Sequence, residues 1–327
     1  MRFSLPDHWY RRTWLSRLLW PASLAIGAIV FMRRQLYRLH LLRSHAAGVP
    51  VIAVGNLVVG GTGKTPLALW IAELLKSRGW SPAIVSRGYG GAVRAPREAS
   101  IGSDPLEVGD EPVVLARRSG CPVWVGPDRA QVIAAMRQRH PACDVVVLDD
   151  GLQHYRLRRD IEIAIVDARG FGNGLMLPAG PLREPPSRLR SVDAVIAHGT
   201  DAVRGHRMRL EGEELHRATD ARERRLLASF AGERAHAVAG IGDPERFFAM
   251  LRGHGIEVVP HPFPDHHPYR AADLEFGDPA PVLMTEKDAV KCKRFAKPHH
   301  WVLPVHAVMD AAFGEWLLKR LCERKAR

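Results

Sequence analysis

A glycine-rich turn followed by a lysine and a threonine is the stretch of the chain best suited to chemistry. It lies between an apolar, strand-like run that begins at residue 51 and apolar residues at helical spacing that end at residue 75. Glycines let the backbone turn tightly and point its N–H groups at an anion, at the positive end of the following helix. The pattern predicts a phosphate-binding loop made of Gly60, Gly61, Thr62, Gly63, Lys64 and Thr65.

The last two residues of this loop have separate predicted roles. Lys64 can reach the outer phosphates of a nucleotide, and the Thr65 hydroxyl can ligate the magnesium ion that bridges them. The match to the pattern G-x-x-x-x-G-K-[ST] is incomplete, because Val58 stands where the first glycine is expected. The prediction of ATP and Mg²⁺ as cofactors therefore depends on GGTGKT and its context, and an ordinary surface loop is the alternative.

Carboxylates occur at two further places where they could serve such a site. Asp149 and Asp150 follow an apolar run, and P-loop enzymes hold magnesium with an aspartate at the end of a strand. Asp110 and Glu111, in the sequence VGDEP, stand where a helix is predicted to begin. Acids are favourable in a first helical turn even without a chemical role, so helix capping explains this second pair equally well.

Three other segments carry polar residues in loops. Arg87 lies among glycines in SRGYGG, while Arg183 and Glu184 end a loop rich in glycine and proline. An arginine there could hold a phosphate and an acid could orient a polar substrate, whereas a flexible turn and a surface ion pair are the alternatives. In FPDHHPY, neighbouring side chains of an extended chain point to opposite faces, which argues against one metal site. A single histidine paired with a carboxylate is the better interpretation.

The composition favours a folded protein with an anionic partner. The 327 residues are 46% hydrophobic, enough for about two domains, and 47 Lys and Arg against 35 Asp and Glu give a net charge of +12. Nucleic acid, anionic lipid and nucleotide all suit that charge. No C-x-x-C pair or Cys/His cluster is present, so a reducing cytosol fits better than a zinc site or a disulfide framework. The cysteines are Cys121, Cys143, Cys292 and Cys322.

An uncharged stretch, residues 18–32, is flanked by arginines near the N-terminus. As a helix these residues cover about 22 Å, which is short of the roughly 30 Å of hydrocarbon in a bilayer. A core helix or a signal peptide would also explain the stretch, although no small-residue cleavage site follows it. We interpret residues 1–45 as a helical segment that associates with a membrane surface.

Beyond residue 50, apolar runs of strand length alternate with helix-like stretches. This order predicts an α/β fold: a P-loop, doubly wound, mainly parallel sheet, with ligands bound beyond the carboxyl ends of the strands. A second, smaller α/β domain is predicted at residues 229–327, joined to the P-loop domain of residues 46–200 by a polar linker at 201–228. The runs in the first domain are 51–54, 82–86, 122–125, 144–148, 161–166 and 192–197.

Seven sequence blocks, taken together, resemble the tetraacyldisaccharide 4'-kinase family of the lipid A pathway in Gram-negative bacteria. In chain order they are GNLVVGGTGKTP, SRGYGG, VGDEP, LDDGLQHYRL, GFGNGLMLPAGPLRE, FPDHHPY and TEKDAVK. The glycine loop alone would indicate only a nucleotide, whereas this combination covers nearly the whole chain. The resemblance implies ATP-dependent phosphorylation of the 4'-hydroxyl of a tetraacylated glucosamine disaccharide 1-phosphate at the cytoplasmic face of the inner membrane, without nucleic acid.

The resemblance also implies roles for individual residues. Asp110 would accept the hydroxyl proton with His266 beside it, and Lys64 would complete the catalytic set. The magnesium ligands would come from Thr65, Asp149, Asp150 and Glu111. The resemblance also implies a contact from Arg183 to the existing sugar phosphate, and Glu184 and Arg87 are further candidate substrate ligands from their loop positions.

Another class of protein fits the loop alone: a P-loop ATPase acting as a membrane-recruited switch or partition protein. Such proteins carry a second lysine just before the glycines, where this chain has Val59. A nucleic-acid-binding ATPase fits the net charge, but the basic residues are spread along the chain and are not interleaved with aromatic residues.

Overall fold

In a computed structural model that describes residues 8–325, the chain builds two sheets flanked by helices. The strands are β1 (Val51–Asn56), β2 (Pro82–Ser86), β3 (Arg97–Ala99), β4 (Val123–Val125), β5 (Val145–Asp149), β6 (Ile161–Asp167), β7 (Ala194–His198), β8 (His206–Glu211), β9 (Glu214–Arg217), β10 (Arg224–Leu226), β11 (Arg234–Ala239), β12 (Glu257–Pro262), β13 (Val282–Thr285), β14 (His300–Leu303) and β15 (His306–Met309). The helices are α1 (Trp14–Arg38), α2 (Lys64–Ser77), α3 (Pro105–Val108), α4 (Asp110–Ser119), α5 (Arg129–Arg139), α6 (Pro244–Gly253), α7 (Glu286–Cys292) and α8 (Ala311–Lys325).

The larger sheet has nine strands in the order β15-β8-β7-β6-β1-β5-β2-β4-β3. Its neighbours from β8 to β4 run parallel, and only the two edge strands are antiparallel. Alternate residues of β1 face opposite sides: Ile52 packs in a core with α2, whereas Val51 packs in a core with α5. Because both faces are covered, β1 is buried along its whole length, as expected for a doubly wound parallel sheet. The predicted fold class is confirmed.

The smaller sheet has the order β10-β9-β14-β13-β11-β12, with a parallel centre and two antiparallel strands at one edge. Its own core includes Phe230, Phe248 and Trp301. The predicted linker is wrong, because residues 201–228 contain β8 of the larger sheet and β9 and β10 of the smaller one. These strands alternate charged outward residues with buried Met208 or Leu215, which made the segment resemble a polar linker.

The predicted boundary of the second domain also differs from the structure at its C-terminal end. Strand β15 pairs with β8 of the larger sheet, and α8 buries Phe313, Leu317 and Leu321 in that sheet's core. The chain therefore passes from the larger to the smaller domain after Glu211 and returns before His306. Spatial pairing decided this return, and the local pattern of the last helix carries no sign of it.

Helix α1 is longer than the uncharged stretch that predicted it. It spans 25 residues because Arg33, Arg34 and Arg38 continue the helix beyond the apolar segment. By length and composition it is the one helix between residues 8 and 325 that could cross a membrane. Nevertheless it lies along the larger domain: the Ser23 hydroxyl donates to the Met176 carbonyl at 2.7 Å, and Tyr37 stacks on Tyr155 at 5.9 Å.

Helix α1 has polar side chains on its buried side and apolar side chains on its exposed side, the reverse of a helix on a soluble domain. Its buried side chains are those of Ser16 and Ser23, which bond to polar groups of the loop around residues 173–179. Its outward side chains are large and apolar, and they are 51–67% exposed: Trp14, Leu18, Trp20, Leu24, Ile29, Phe31 and Met32. The apolar face of α1 is thus left without a protein partner within the described chain.

Candidate active site

The glycine-rich loop joins the end of β1 to the start of α2. Gly60 and Gly63 have φ angles of 102° and 98°, a region that favours glycine. A Cβ on Gly63 would also come within 2.9 Å of Met208 Cε, so the Met208 side chain would have to move to admit a larger residue. Val58 is buried and forms a β-bridge with Leu182, which gives its side chain a packing role where the common pattern has glycine.

Lys64 is the first residue of α2, and its ammonium group lies inside the loop. Its Nζ is 3.4 Å from both the Asn56 Oδ1 and the Gly60 carbonyl, and 3.8 Å from Asp150 Oδ1. The side chain is almost fully buried. A positive charge held beside backbone N–H groups at a helix start is suited to the outer phosphates of a nucleotide.

Asp149 ends β5 and has one carboxylate oxygen without a partner. Thr65 Oγ1 donates to its Oδ2 at 3.0 Å, whereas its Oδ1 is buried and accepts no hydrogen bond. Burial, with the nearby charge of Glu111, raises the pKa of this carboxyl to about 7. A hydroxyl and an orphaned carboxylate oxygen are oxygen ligands of the kind that Mg²⁺ takes, so these residues fit a magnesium ion.

Between residues 8 and 325, no group of three His, Cys, Asp or Glu side chains is placed to hold a metal ion by itself. A magnesium ion here would be bound through one or two carboxylates together with the phosphates of a nucleotide. The fit thus depends on the nucleotide as well as on the protein.

Asp150 turns away from Asp149 and pairs with arginine. Its φ of 58° is left-handed, and Arg183 Nη1 donates to both of its oxygens at 2.9 and 3.0 Å. Burial raises the pKa of Asp150, but the charges of Lys64 and Arg183 outweigh it and hold the pKa below its usual value. Arg183, predicted to meet a substrate phosphate, is therefore placed at the site, with part of its charge taken up by Asp150.

Asp110 and His266 are brought together from the two domains. Asp110 is the first residue of α4 and is buried, while His266 lies in the loop after β12 with a left-handed φ of 61°. His266 Nδ1 is 3.0 and 3.1 Å from the two carboxylate oxygens, and an ionised carboxylate only accepts, so Nδ1 donates. Burial raises the pKa of Asp110, but this bond and the charge of Lys287 outweigh it and leave the pKa lowered.

Two lysines of the TEKDAVK block, which sequence reasoning did not single out, complete this group. Lys287 Nζ lies 3.1 Å from Glu111 and 2.9 Å from Asp265, and these carboxylates raise its pKa despite burial. Lys291 Nζ lies 3.6 Å from Asp110 Oδ2. Their position four residues apart on α7, which places them on one helix face, was the available signal.

Arg129 is a third residue that the sequence did not reveal. It begins α5, is buried, and feels the charges of Asp149 and Asp150, yet burial and the neighbouring Arg87 lower its pKa to about 10. Two arginines so close together favour an anion between them. Arg87, predicted to contact substrate, is exposed beside this position.

Glu184 differs from its predicted role as a substrate ligand. Its carboxylate is 1% exposed and accepts hydrogen bonds from Tyr155 Oη and, at 3.0 Å, from Gln153 Nε2. Arg188 Nε lies 3.8 Å away. Burial leaves this carboxylate no surface for a substrate, so it orders the loop, a role that an adjacent Arg-Glu pair in sequence cannot reveal.

A cleft of about 260 Å³ between the domains adjoins the glycine loop. The larger domain contributes Lys64 and Thr65, and α6 of the smaller domain contributes Phe247 and Met250. Arg169 ties the two sides together, since it donates to the Gly61 carbonyl at 2.6 Å and to the Gly242 carbonyl at 3.1 Å. The cleft is wide enough for part of a nucleotide and closed by contacts from both domains.

We expect Asp149→Asn to stabilise the metal-free protein in a pH-dependent way. Because the folded-state pKa of Asp149 is about 7, the folded protein keeps a proton that the unfolded chain loses above about pH 4, so this carboxyl lowers stability as pH rises to 7. The advantage of the variant should shrink by about 2 kcal/mol between pH 8 and pH 5.5. Chemical unfolding in chelator measures this.

Asp150→Asn is the matched control for this prediction. The pKa of Asp150 is lowered, so its ionised form stabilises the folded state above its unfolded pKa, and the variant should lose stability at pH 8. Equal effects of both substitutions, or an Asp149→Asn effect independent of pH, would show that Asp149 is not held at a raised pKa.

Comparison with known proteins shows which family the chain resembles. The family model for tetraacyldisaccharide-1-P 4'-kinase matches residues 15–322. A tetraacyldisaccharide 4'-kinase of Alkalilimnicola ehrlichii is 53% identical over 96% of this chain and 95% of its own, and one of Azoarcus sp. is 49% identical over 97% and 95%. The crystal structure of "apo" form LpxK from Aquifex aeolicus in complex with ATP has a TM-score of 0.77 and 29% identity, covering 95% of this chain and 99% of that one.

These matches span both domains, including the glycine loop, the strand-end aspartates and the segment that carries His266. They agree with the resemblance of the seven sequence blocks and leave the switch ATPase without support. The chain belongs to the tetraacyldisaccharide 4'-kinase family.

Proposed function

We propose that this protein transfers the γ-phosphoryl group of ATP to the 4'-hydroxyl of a tetraacylated glucosamine disaccharide 1-phosphate in lipid A biosynthesis. One observation carries the proposal: Glu111 and Lys287 line the cleft beside the phosphate-binding loop, and the buried pair of Asp110 and His266 adjoins them, with Lys287 Nζ 3.5 Å from His266 Nε2. The names of its relatives and the ATP bound by the Aquifex aeolicus protein support it. A switch ATPase would not need a base from one domain held by a histidine from the other.

In the proposed reaction the 4'-oxygen attacks the γ-phosphorus, the bond from that phosphorus to the β–γ bridging oxygen breaks, and ADP leaves. Little of the catalysis is covalent, so the protein acts mainly by positioning groups and stabilising charge. Lys64 and the N–H groups of residues 60–65 would hold the phosphates. Bound Mg²⁺, held by Thr65 and Asp149 with support from Glu111 or Asp150, would neutralise charge on the β- and γ-phosphates.

Asp110 is the proposed acceptor of the hydroxyl proton. Its lowered pKa keeps it ionised at neutral pH, so it is ready to accept. The His266 Nδ1–H bond fixes the direction of the carboxylate, and Lys287, 3.5 Å from His266 Nε2, adds positive charge. Because His266 and Lys287 both belong to the smaller domain, the site is complete only when the two domains are in contact.

We also propose that the protein lies on the cytoplasmic face of the inner membrane through α1. Its outward apolar face is suited to the boundary between lipid headgroups and acyl chains. The helix contacts the larger domain near its start, where Ser16 meets Asn173, in its middle, where Ser23 meets Met176, and near its end, where Tyr37 stacks on Tyr155. A helix held in this way cannot cross the bilayer without drawing the domain into the hydrocarbon, so an orientation parallel to the surface is favoured.

Lys64→Ala should reduce kcat by on the order of 10² or more with saturating ATP and disaccharide lipid, because it removes a fixed positive charge beside the phosphates. Thermal unfolding should show a folded variant. Lys319→Ala, an exposed change on α8, is the control and should keep wild-type turnover. Normal turnover by the Lys64 variant would mean that the glycine loop is not the catalytic nucleotide site.

Asp110→Asn and His266→Ala should each lower kcat by about 10² to 10⁴ while ATP still binds. Since the two residues act as a unit, the double variant should be little worse than the poorer single variant. His267→Ala is the matched control, because this neighbour pairs with Asp273 at 3.1 Å and not with Asp110. Losses under about threefold, or losses that multiply, would return Asp110 to the role of a helix-start acid.

Protease added to the outside of intact spheroplasts should not cut the chain ahead of Trp14, whereas the same protease should cut it in inverted membrane vesicles. This outcome follows from a helix that lies on one leaflet. Detergent should release the protein, and high salt should release part of it. Cleavage of the N-terminal residues only from the periplasmic side would contradict the surface orientation of α1.

A further inference from the structure

A recess of about 1000 Å³ lies beside the C-terminal end of α1, away from the phosphate-binding loop. One wall is formed by the end of α1 and the turn after it, and the other by residues 155–162, which lead into the start of β6. His45 and Leu157 join the two walls through a parallel β-bridge. The recess is therefore at the amino end of β6, while the glycine loop follows the carboxyl end of β1.

Arginines dominate the lining of this recess. They are Arg34, Arg38, Arg43, Arg158, Arg159 and Arg188. The one carboxylate in the lining, Glu162, is shared by two of them, with Arg159 Nε at 2.8 Å and Arg188 Nη2 at 2.7 Å. Within residues 8–325, no carboxylate lies at ion-pair distance from the other four, which are Arg34, Arg38, Arg43 and Arg158.

Unpaired arginines in a recess favour an anionic oxygen ligand, above all a phosphate, which accepts from the planar guanidinium fork. Arg34 is already held in place, since its Nη2 donates to Ser191 Oγ at 2.7 Å. The lining includes no other acidic side chain that would repel such a ligand. The recess is thus built for a phosphate, and the question is which molecule carries it.

The surroundings of the recess favour a phosphate with hydrocarbon attached. Leu39 and Leu41, in the turn after α1, are 65% and 68% exposed, and Phe31 and Met32 near the end of α1 are 57% and 58% exposed. A soluble anion would leave these side chains in water, whereas acyl chains would cover them. The substrate's own phosphate is disfavoured because the buried Glu184, Tyr155 and Arg188 network stands between the recess and the loop at Asn56.

We propose that this arginine recess binds the phosphate headgroup of an anionic phospholipid of the bilayer, with the apolar face of α1 among its acyl chains. The inference rests on the proposed membrane association and adds to it a lipid-binding site separate from the catalytic one. Lipid bound there would fix the rotation of the protein on the membrane. The cleft between the domains would then face the leaflet in one orientation only.

The test uses a triple variant, Arg38→Gln, Arg43→Gln and Arg158→Gln, which lowers the net charge from +12 to +9. The matched control, Arg78→Gln, Arg139→Gln and Arg204→Gln, makes the same charge change at exposed arginines without ion pairs outside the recess. Binding is measured by flotation of the full chain with vesicles of phosphatidylcholine alone or with phosphatidylglycerol, in the absence of ATP and disaccharide. Both variants lose three positive charges, so an attraction that depends on net charge alone weakens equally in the two.

We expect wild type and the control to bind vesicles more tightly when phosphatidylglycerol is present. In the recess variant, this gain in affinity should be at least tenfold smaller than in the control. Equal losses in the two variants would show a diffuse electrostatic attraction and overturn the proposal. Saturable binding of inorganic phosphate that depends on the recess, without any preference among vesicles, would assign the site to a soluble anion and overturn it as well.

Kinase assays in detergent without phospholipid separate this proposal from the proposed function. The recess variant should keep the wild-type kcat and KM for the disaccharide lipid, because the recess takes no part in catalysis. A raised KM there would show that the recess holds the phosphate of the substrate and would contradict a phospholipid site. Absence of kinase activity in the wild type would contradict the proposed function, and the vesicle result would be unaffected.

Discussion

Repulsion between carboxylates is the constraint on which the site depends. Strand β5 ends at Asp149 with Asp150 next to it, and the start of α4 brings Glu111 near, so that the charges of Glu111 and Asp150 both act on Asp149. Such a group is unstable without positive charge nearby, because like charges a few ångströms apart repel strongly in a partly buried site.

The positive charges come from both domains, and this explains the position of the smaller one. The larger domain supplies Lys64 and Arg183 to Asp150, whereas the smaller domain brings positive charge to Asp110 and Glu111. Docking of the smaller domain thus completes the electrostatic balance of the site. The contacts that His266 and Lys287 make across the domain boundary are also the contacts that lower the pKa of Asp110, the proposed base.

Two non-glycine residues of the site have left-handed backbone conformations, Asp150 and His266. Such conformations cost on the order of 1 kcal/mol and persist where surrounding contacts enforce them. Here side-chain contacts do so: Arg183 holds Asp150, and Asp110 holds His266. These backbone conformations direct the Asp150 carboxylate away from Asp149 and the His266 imidazole across the domain boundary.

The sequence by itself determined the features that depend on neighbours in the chain. Glycines followed by Lys64 and Thr65 encode a turn and a helix start, and an apolar run ending in Asp149 encodes a buried strand with its acid at the carboxyl edge, so the loop and the sheet were predictable. The role of His266 was accessible only through the resemblance to a family, because its partner Asp110 is 156 residues away.

Only the tertiary structure decided which side chains meet across such distances. It turned Glu184 inward, recruited Lys287, Lys291 and Arg129, and returned α8 to the larger domain. Side-chain burial and charge pairing arise from packing between segments far apart in the chain, and a local pattern of polar and apolar residues is compatible with several such packings. For the same reason, the arginines at the end of α1 and in the turn after it form a recess only because the fold places them opposite Arg158.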